Sequence, residues 1–145
     1  MERVRRPRAA ITFVEALIVV SVAVLLFEVY TITSSGRGND ARITATRDQI
    51  KQFTKALRLF RQDTGFYPTT EEGLKALISK PERATNWKEE GYLGQEYLPN
   101  DPWGHPYEYV SPGKRSRDFD IISYGADGKV GGQGYNADLT NKDFE

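Results

Sequence analysis

Apolar residues dominate the chain from Ile11 to Ile32, with one acid near the start of the run, Glu15, and another near its end, Glu28. As a helix this run would measure about 33 Å at ~1.5 Å per residue, enough to cross a hydrocarbon core of about 30 Å. The polar string Ser34-Ser35-Gly36-Arg37-Gly38-Asn39-Asp40 then reads as a flexible or weakly helical joint. Beyond it Ile43, Ile50, Phe53, Leu57 and Phe60 fall on one helical face, while Lys51, Gln52, Lys55, Arg58 and Arg61 occupy others. This pattern predicts an amphipathic helix over about 40–62, stopped by Gly65 and Pro68, whose stripe packs on its own domain's sheet.

Thr69 and Glu72 stand at capping-box spacing before Leu74, Ala76, Leu77 and Ile78, which predicts a second helix ended by Lys80-Pro81. The irregular stretch 82–100 follows, with Trp87, Tyr92, Leu93, Tyr97 and Leu98 as apolar anchors against a core. Two prolines and Gly104 make 98–104 a turn. Strand-compatible runs at 107–110 and 119–123, joined through Ser111-Pro112-Gly113-Lys114, read as a hairpin. The fold class is therefore α+β: a long N-terminal α-helix, membrane-spanning in its first half, packed on a small C-terminal antiparallel sheet.

Charge orients the apolar run. Arg3, Arg5, Arg6 and Arg8 precede it against Glu2 alone, so the N-terminus is expected in the cytoplasm and the head on the far side of the membrane. A secretory signal cut within 31–36 is the competing reading, but Glu15 argues against it. An ionised carboxylate at membrane depth costs about 2.5–3.5 kcal/mol, so its presence calls for a compensating partner.

The chain has 145 residues, so about 100 remain beyond the apolar run, room for one small domain. It carries 20 basic and 20 acidic residues; setting aside the leader's four arginines and one glutamate leaves 16 against 19, a net −3. Nothing in this charge suggests nucleic-acid binding. Cysteine is absent, which removes disulfides and thiolate sites. His105 is the only histidine and sits in a turn, no serine has a nucleophile-elbow context, and the acid pairs Glu71-Glu72 and Glu89-Glu90 read as solvated surface. No catalysis is expected.

The glycine-rich segment 124–138 carries oxygen donors at both ends, the kind calcium takes. It is not an EF-hand, because Lys129 and Gly131 stand where that loop needs side-chain oxygens. From its residues alone it is either a metal loop or a plain glycine-rich turn.

The basic leader, the apolar run and Glu15 together resemble the class III signal of type IV pilins and pseudopilins. That resemblance places a cut between Ala10 and Ile11, with Glu15 fifth in the mature chain; the family usually has Gly and Phe where this chain has Ala10 and Ile11. The freed amine of Ile11 could pair with Glu15 of a neighbouring subunit, which makes Glu15 an assembly residue. The strings Thr64-Gly65-Phe66-Tyr67-Pro68-Thr69-Thr70-Glu71-Glu72-Gly73-Leu74 and Leu98-Pro99-Asn100-Asp101-Pro102-Trp103-Gly104-His105-Pro106-Tyr107 resemble the major pseudopilins of type II secretion. The chain lacks the mid-helix proline common among them, and Gly36 and Gly38 could supply that flexibility.

The resemblance implies a leader over 1–10, a transmembrane and assembly helix over 11–35, and a periplasmic pilin-like head over 36–145. It implies a structural subunit, single-pass in the bacterial inner membrane before assembly, that polymerises to drive folded proteins across the outer membrane. Its implied partners are further copies of itself, minor pseudopilins, a prepilin peptidase, an inner-membrane platform, an assembly ATPase and a secretin, and methylation accompanies processing. It also implies calcium in the loop 124–138, held by the Tyr124 carbonyl, Asp127, Asn136 and Asp138. The alternative is a type IV pilin or another membrane-anchored periplasmic calcium-binding or adhesive module.

Overall fold

The structure, a computed structural model, describes residues 13–144, without the side chains of 13 and 27–37. Helix α1 spans Phe13–Thr64, and the chain divides into two compact units between Gly38 and Asn39. The backbone of the predicted joint is helical, so α1 begins far ahead of the amphipathic stretch expected over 40–62.

In the first unit the apolar side chains from Val14 to Leu26 are exposed. Ser21 returns its hydroxyl to the carbonyl of Leu17 at 2.5 Å, so the helix satisfies this polar group itself. Among the described residues no helix is long and apolar enough to cross a membrane. Within the predicted span Ile11–Ile32, side chains are described only over 14–26, so that span lies only partly within the described residues.

The second unit holds the core. Ile50, Phe53, Leu57 and Phe60 are fully buried, joined by Ala56, while Ile43 at the start of the stripe is only half-buried. Burying each large side chain contributes about 1.5–3 kcal/mol. Phe53 meets Tyr107 edge-on at 5.1 Å, and Tyr67 meets Phe119 at 4.9 Å, so the helix and the strand region share one aromatic layer. Thr46 lies on the same face, its hydroxyl returned to the Arg42 carbonyl at 2.8 Å.

The sheet is antiparallel in the order β1 (Glu108–Val110), β2 (Asp120–Ser123), β3 (Leu139–Thr140). Tyr109 pairs with Ile121, and Ile122 with Thr140. The third strand was not predicted. It is only two residues long, too short for an alternation, and it is extended by Asn141, whose side chain does what a backbone would. Asn141 Oδ1 accepts the Ile121 N–H at 2.8 Å and its Nδ2 donates to the Phe119 carbonyl at 3.2 Å.

The capping box forms: the Thr69 N–H donates to Glu72 at 2.8 Å and the Glu72 N–H to Thr69 at 3.2 Å. The helix expected after it is only a 3-10 turn, Leu74–Leu77, because Gly73 adopts φ 59° and breaks the helical run one residue after Glu72. Trp87 and Leu93 anchor the long loop as expected, with the Trp87 indole donating to the Ala76 carbonyl at 2.9 Å. Tyr97 does not, being 66% exposed.

Candidate functional site

Glu15 lies two residues after the first described residue of α1, and it is exposed among Val14, Leu17, Ile18 and Val19. The expected cut between Ala10 and Ile11 lies outside the described residues.

The loop 124–138 leaves the end of β2 and returns into β3. Two 3-10 turns, Gly125–Asp127 and Gly134–Asn136, fold its two halves against one another. Glycine is required where they meet. A Cβ on Gly125 would stand 2.7 Å from the Tyr135 carbonyl oxygen and 2.9 Å from that of Ala137, and a Cβ on Gly132 would stand 2.4 Å from that of Asn136. With φ at 63° and 95°, both positions also take a backbone conformation that other residues rarely adopt.

The four expected ligands are all on this loop, but the structure treats them differently. Asp138 is mostly covered: its Oδ1 accepts the Gly131 N–H at 2.8 Å and its Oδ2 faces Arg115 at 3.3 Å. Tyr124 sends its hydroxyl to Glu108, and its phenol is pushed up to about 12 by that hydrogen bond, by burial and by the charges of Glu108 and Asp138. Asp127 is exposed and accepts the Lys129 N–H at 3.2 Å, and the Asn136 side chain is exposed.

Among the described residues no three His, Cys, Asp or Glu side chains gather as a metal cluster. The expected set contains only two such side chains, Asp127 and Asp138, the rest being carbonyl and amide oxygens. The expected donors, two carboxylates with carbonyl and amide oxygens, are all oxygen, and that chemistry fits calcium.

A scaffold behind the loop was not legible as such. Asp101, buried in the turn 98–104, accepts the N–H groups of Trp103 at 3.1 Å and His105 at 2.8 Å on one oxygen, and the Ser123 hydroxyl at 2.7 Å on the other. The His105 ring lies 3.2 Å from the Gly125 carbonyl, and a Cβ on Gly128 would meet it at 2.9 Å. The histidine read as a simple turn residue is thus the floor of the glycine loop. On the other side, Asp120 is buried and accepts the N–H groups of Lys114, Arg115 and Ser116 at 2.6, 2.7 and 2.8 Å, which fixes the hairpin that carries Arg115. The signal for Asp101 was available: a short acid in a Pro/Gly turn commonly caps the peptide N–H groups just beyond it.

The chain is similar to known proteins along most of its length. The family described as type II secretion system (T2SS), protein G, matches residues 34–142. The type II secretion system core protein G of Pseudomonas aeruginosa is 38% identical over 142 residues, covering 96% of this chain and 98% of that protein. The protein of the same description from Vibrio cholerae is 34% identical over 145 residues, covering 97% of each. Among solved structures, the major pseudopilin from the type 2 secretion system of enterohaemorrhagic Escherichia coli superposes with a TM-score of 0.66 at 34% identity, covering 76% of this chain and 90% of that one. Likeness that runs nearly end to end, on a head built from one long helix and three short antiparallel strands, makes the chain a member of the type II secretion system protein G family, the major pseudopilins.

Proposed function

We propose that the chain is the repeating subunit of a type II secretion pseudopilus, which polymerises through its N-terminal helix and drives folded proteins across the outer membrane. The observation that carries this reading is the near full-length likeness to secretion-system core proteins. The exposed apolar row from Val14 to Leu26 supports it, because such a surface is costly in water and calls for lipid before assembly and neighbouring helices after it.

In this reading the subunit waits in the inner membrane with its N-terminus cytoplasmic and its head in the periplasm. A prepilin peptidase cuts between Ala10 and Ile11, and the new amine pairs with Glu15 of an adjacent copy. A buried pair is tolerable where a lone buried charge is not. Minor pseudopilins, the platform protein, the assembly ATPase and the secretin act on the growing filament. Calcium, held by the Tyr124 carbonyl, Asp127, Asn136 and Asp138, ties the ends of the glycine loop and stabilises the head by favouring its native state.

Cysteines introduced at Ala16 and Val24 of the full chain test the assembly. Oxidation in cells should yield a ladder of cross-linked multimers, whereas a lone membrane anchor gives none. Glu15→Val should abolish the ladder without unfolding the head, and a ladder that persists unchanged rules out the charge-pair mechanism.

A further inference from the structure

We infer that Arg115 is a built-in counter-cation of the glycine loop, holding Asp138 when calcium is scarce and releasing it to the ion when calcium is plentiful. The inference rests on the calcium reading given under the proposed function. The Arg115 guanidinium lies 3.3 Å from Asp138 Oδ2, across 23 residues of chain, and so ties the β1–β2 hairpin loop to the far end of the glycine loop.

The two partners are unequally free. The Asp138 side chain is 11% exposed and is held from behind by the Gly131 N–H, whereas the Arg115 side chain is 42% exposed and has solvent to swing into. The Arg115 backbone is fixed, its own N–H and both neighbouring ones bound to the Asp120 carboxylate, so the guanidinium pivots on a fixed base.

A surface ion pair alone would be worth little. Here, however, the acid is also an expected ligand of a divalent cation, and two cations a few ångströms apart repel strongly where water is partly excluded. Calcium on Asp138 therefore displaces the guanidinium. Glu108, bound to the Tyr124 hydroxyl, and Asp127, at the loop surface, are acidic, and Lys129 meets Asp127 through its backbone N–H, so Arg115 is the cation that the structure places on the Asp138 carboxylate. In a chain without cysteine, the pair keeps the loop attached while no ion does.

The test uses the full chain in detergent micelles, as wild type, Arg115→Gln and Arg115→Lys. Calcium is titrated calorimetrically, and thermal unfolding is followed in excess chelator and in saturating calcium. Arg115→Gln should bind calcium about three- to fivefold more tightly, having no internal competitor. Its midpoint in chelator should fall by about 2–5 °C, and saturating calcium should erase that loss. Arg115→Lys, which keeps a cation, should fall between. Unchanged calcium affinity in Arg115→Gln overturns the exchange, and weaker affinity overturns it by making the guanidinium a support for Asp138 as a ligand. A wild-type chain that takes up no calcium is a separate result, visible before any variant is compared, and it overturns the calcium reading and the exchange together.

Discussion

Asp101 and Ser123 meet at 2.7 Å between Oδ2 and the hydroxyl, joining the proline-rich turn to the last residue of β2. Both are buried, and the other Asp101 oxygen already holds two peptide N–H groups. Removing the acid leaves three donors without an acceptor, each costing about 1–3 kcal/mol when it cannot reach water. Asp101→Ala should destabilise the head by about 3 kcal/mol and Ser123→Ala by less, measured by denaturant unfolding. Equal losses would mean that the turn is held by something other than this carboxylate.

Asp120 sets an acid limit on stability. Burial pushes its carboxyl up, but the N–H of Arg115, the Ser116 hydroxyl and the N–H groups of Ser116 and Lys114 together hold it below the usual aspartate range. Because the folded value is the lower one, the stabilisation is fully present above the unfolded value of about 3.9 and is lost as pH falls through the folded value. Asp120→Asn should lower stability at neutral pH by about 2 kcal/mol and flatten the decline between about pH 4 and 2. Unfolding titrations across that window decide it; an unchanged slope would assign the acid sensitivity elsewhere.

Asn141 completes the sheet with its side chain. Asn141→Ala strands the Ile121 N–H and the Phe119 carbonyl inside the head, for an expected loss of about 2–4 kcal/mol. Asn141→Asp should be no better, since it keeps the acceptor but sets a charge against a carbonyl. Amide hydrogen exchange at Ile121 gives a local readout: it should accelerate more in the alanine variant than at sites along the buried face of α1.

Glu72 receives both arms of Arg83, Nε on one oxygen and a terminal nitrogen on the other, each at 2.7 Å. The Arg83 pair first, with help from Thr69, holds the Glu72 carboxyl below its usual range despite its partial burial. With the Arg83 side chain 42% exposed, the coupling in a double-mutant cycle should be only about 0.5–1 kcal/mol. Arg83→Ala should cost more than Glu72→Gln, because the same guanidinium lies 3.8 Å over the Phe66 ring and donates to the Tyr67 carbonyl. A cycle in which the coupling equals the whole Arg83→Ala loss would remove the ring contact from the account.

How much of this was legible depends on how local the cause is. Ile50, Phe53, Leu57 and Phe60 declare themselves by spacing alone, because the period of a helix is written in adjacent turns. The capping box was equally readable, yet Gly73 limited what it could start. The α+β class and the hairpin followed from turn residues and β-branched runs. Asp120, whose partners all lie within the preceding six residues, was missed because it reads simply as part of a strand, whereas Asp101 and Asn141 were missed as organisers because their partners include residues that only the fold brings near. Arg115 was silent for the same reason, and the loop 124–138 was separable from an ordinary glycine turn only through family resemblance.

The position of Asn141 bears on how the molecule comes into being. The helix face from Ile50 to Phe60 is made early, but the strands that cover it lie some sixty residues later, and the amide that finishes their pairing comes later still. Until those closing residues have crossed the membrane with the rest of the head, the greasy side of a long-finished helix has no native cover. A nascent chain of this kind matures in one late step, and a stall shortly before that step would leave a species prone to clumping rather than a smaller working head.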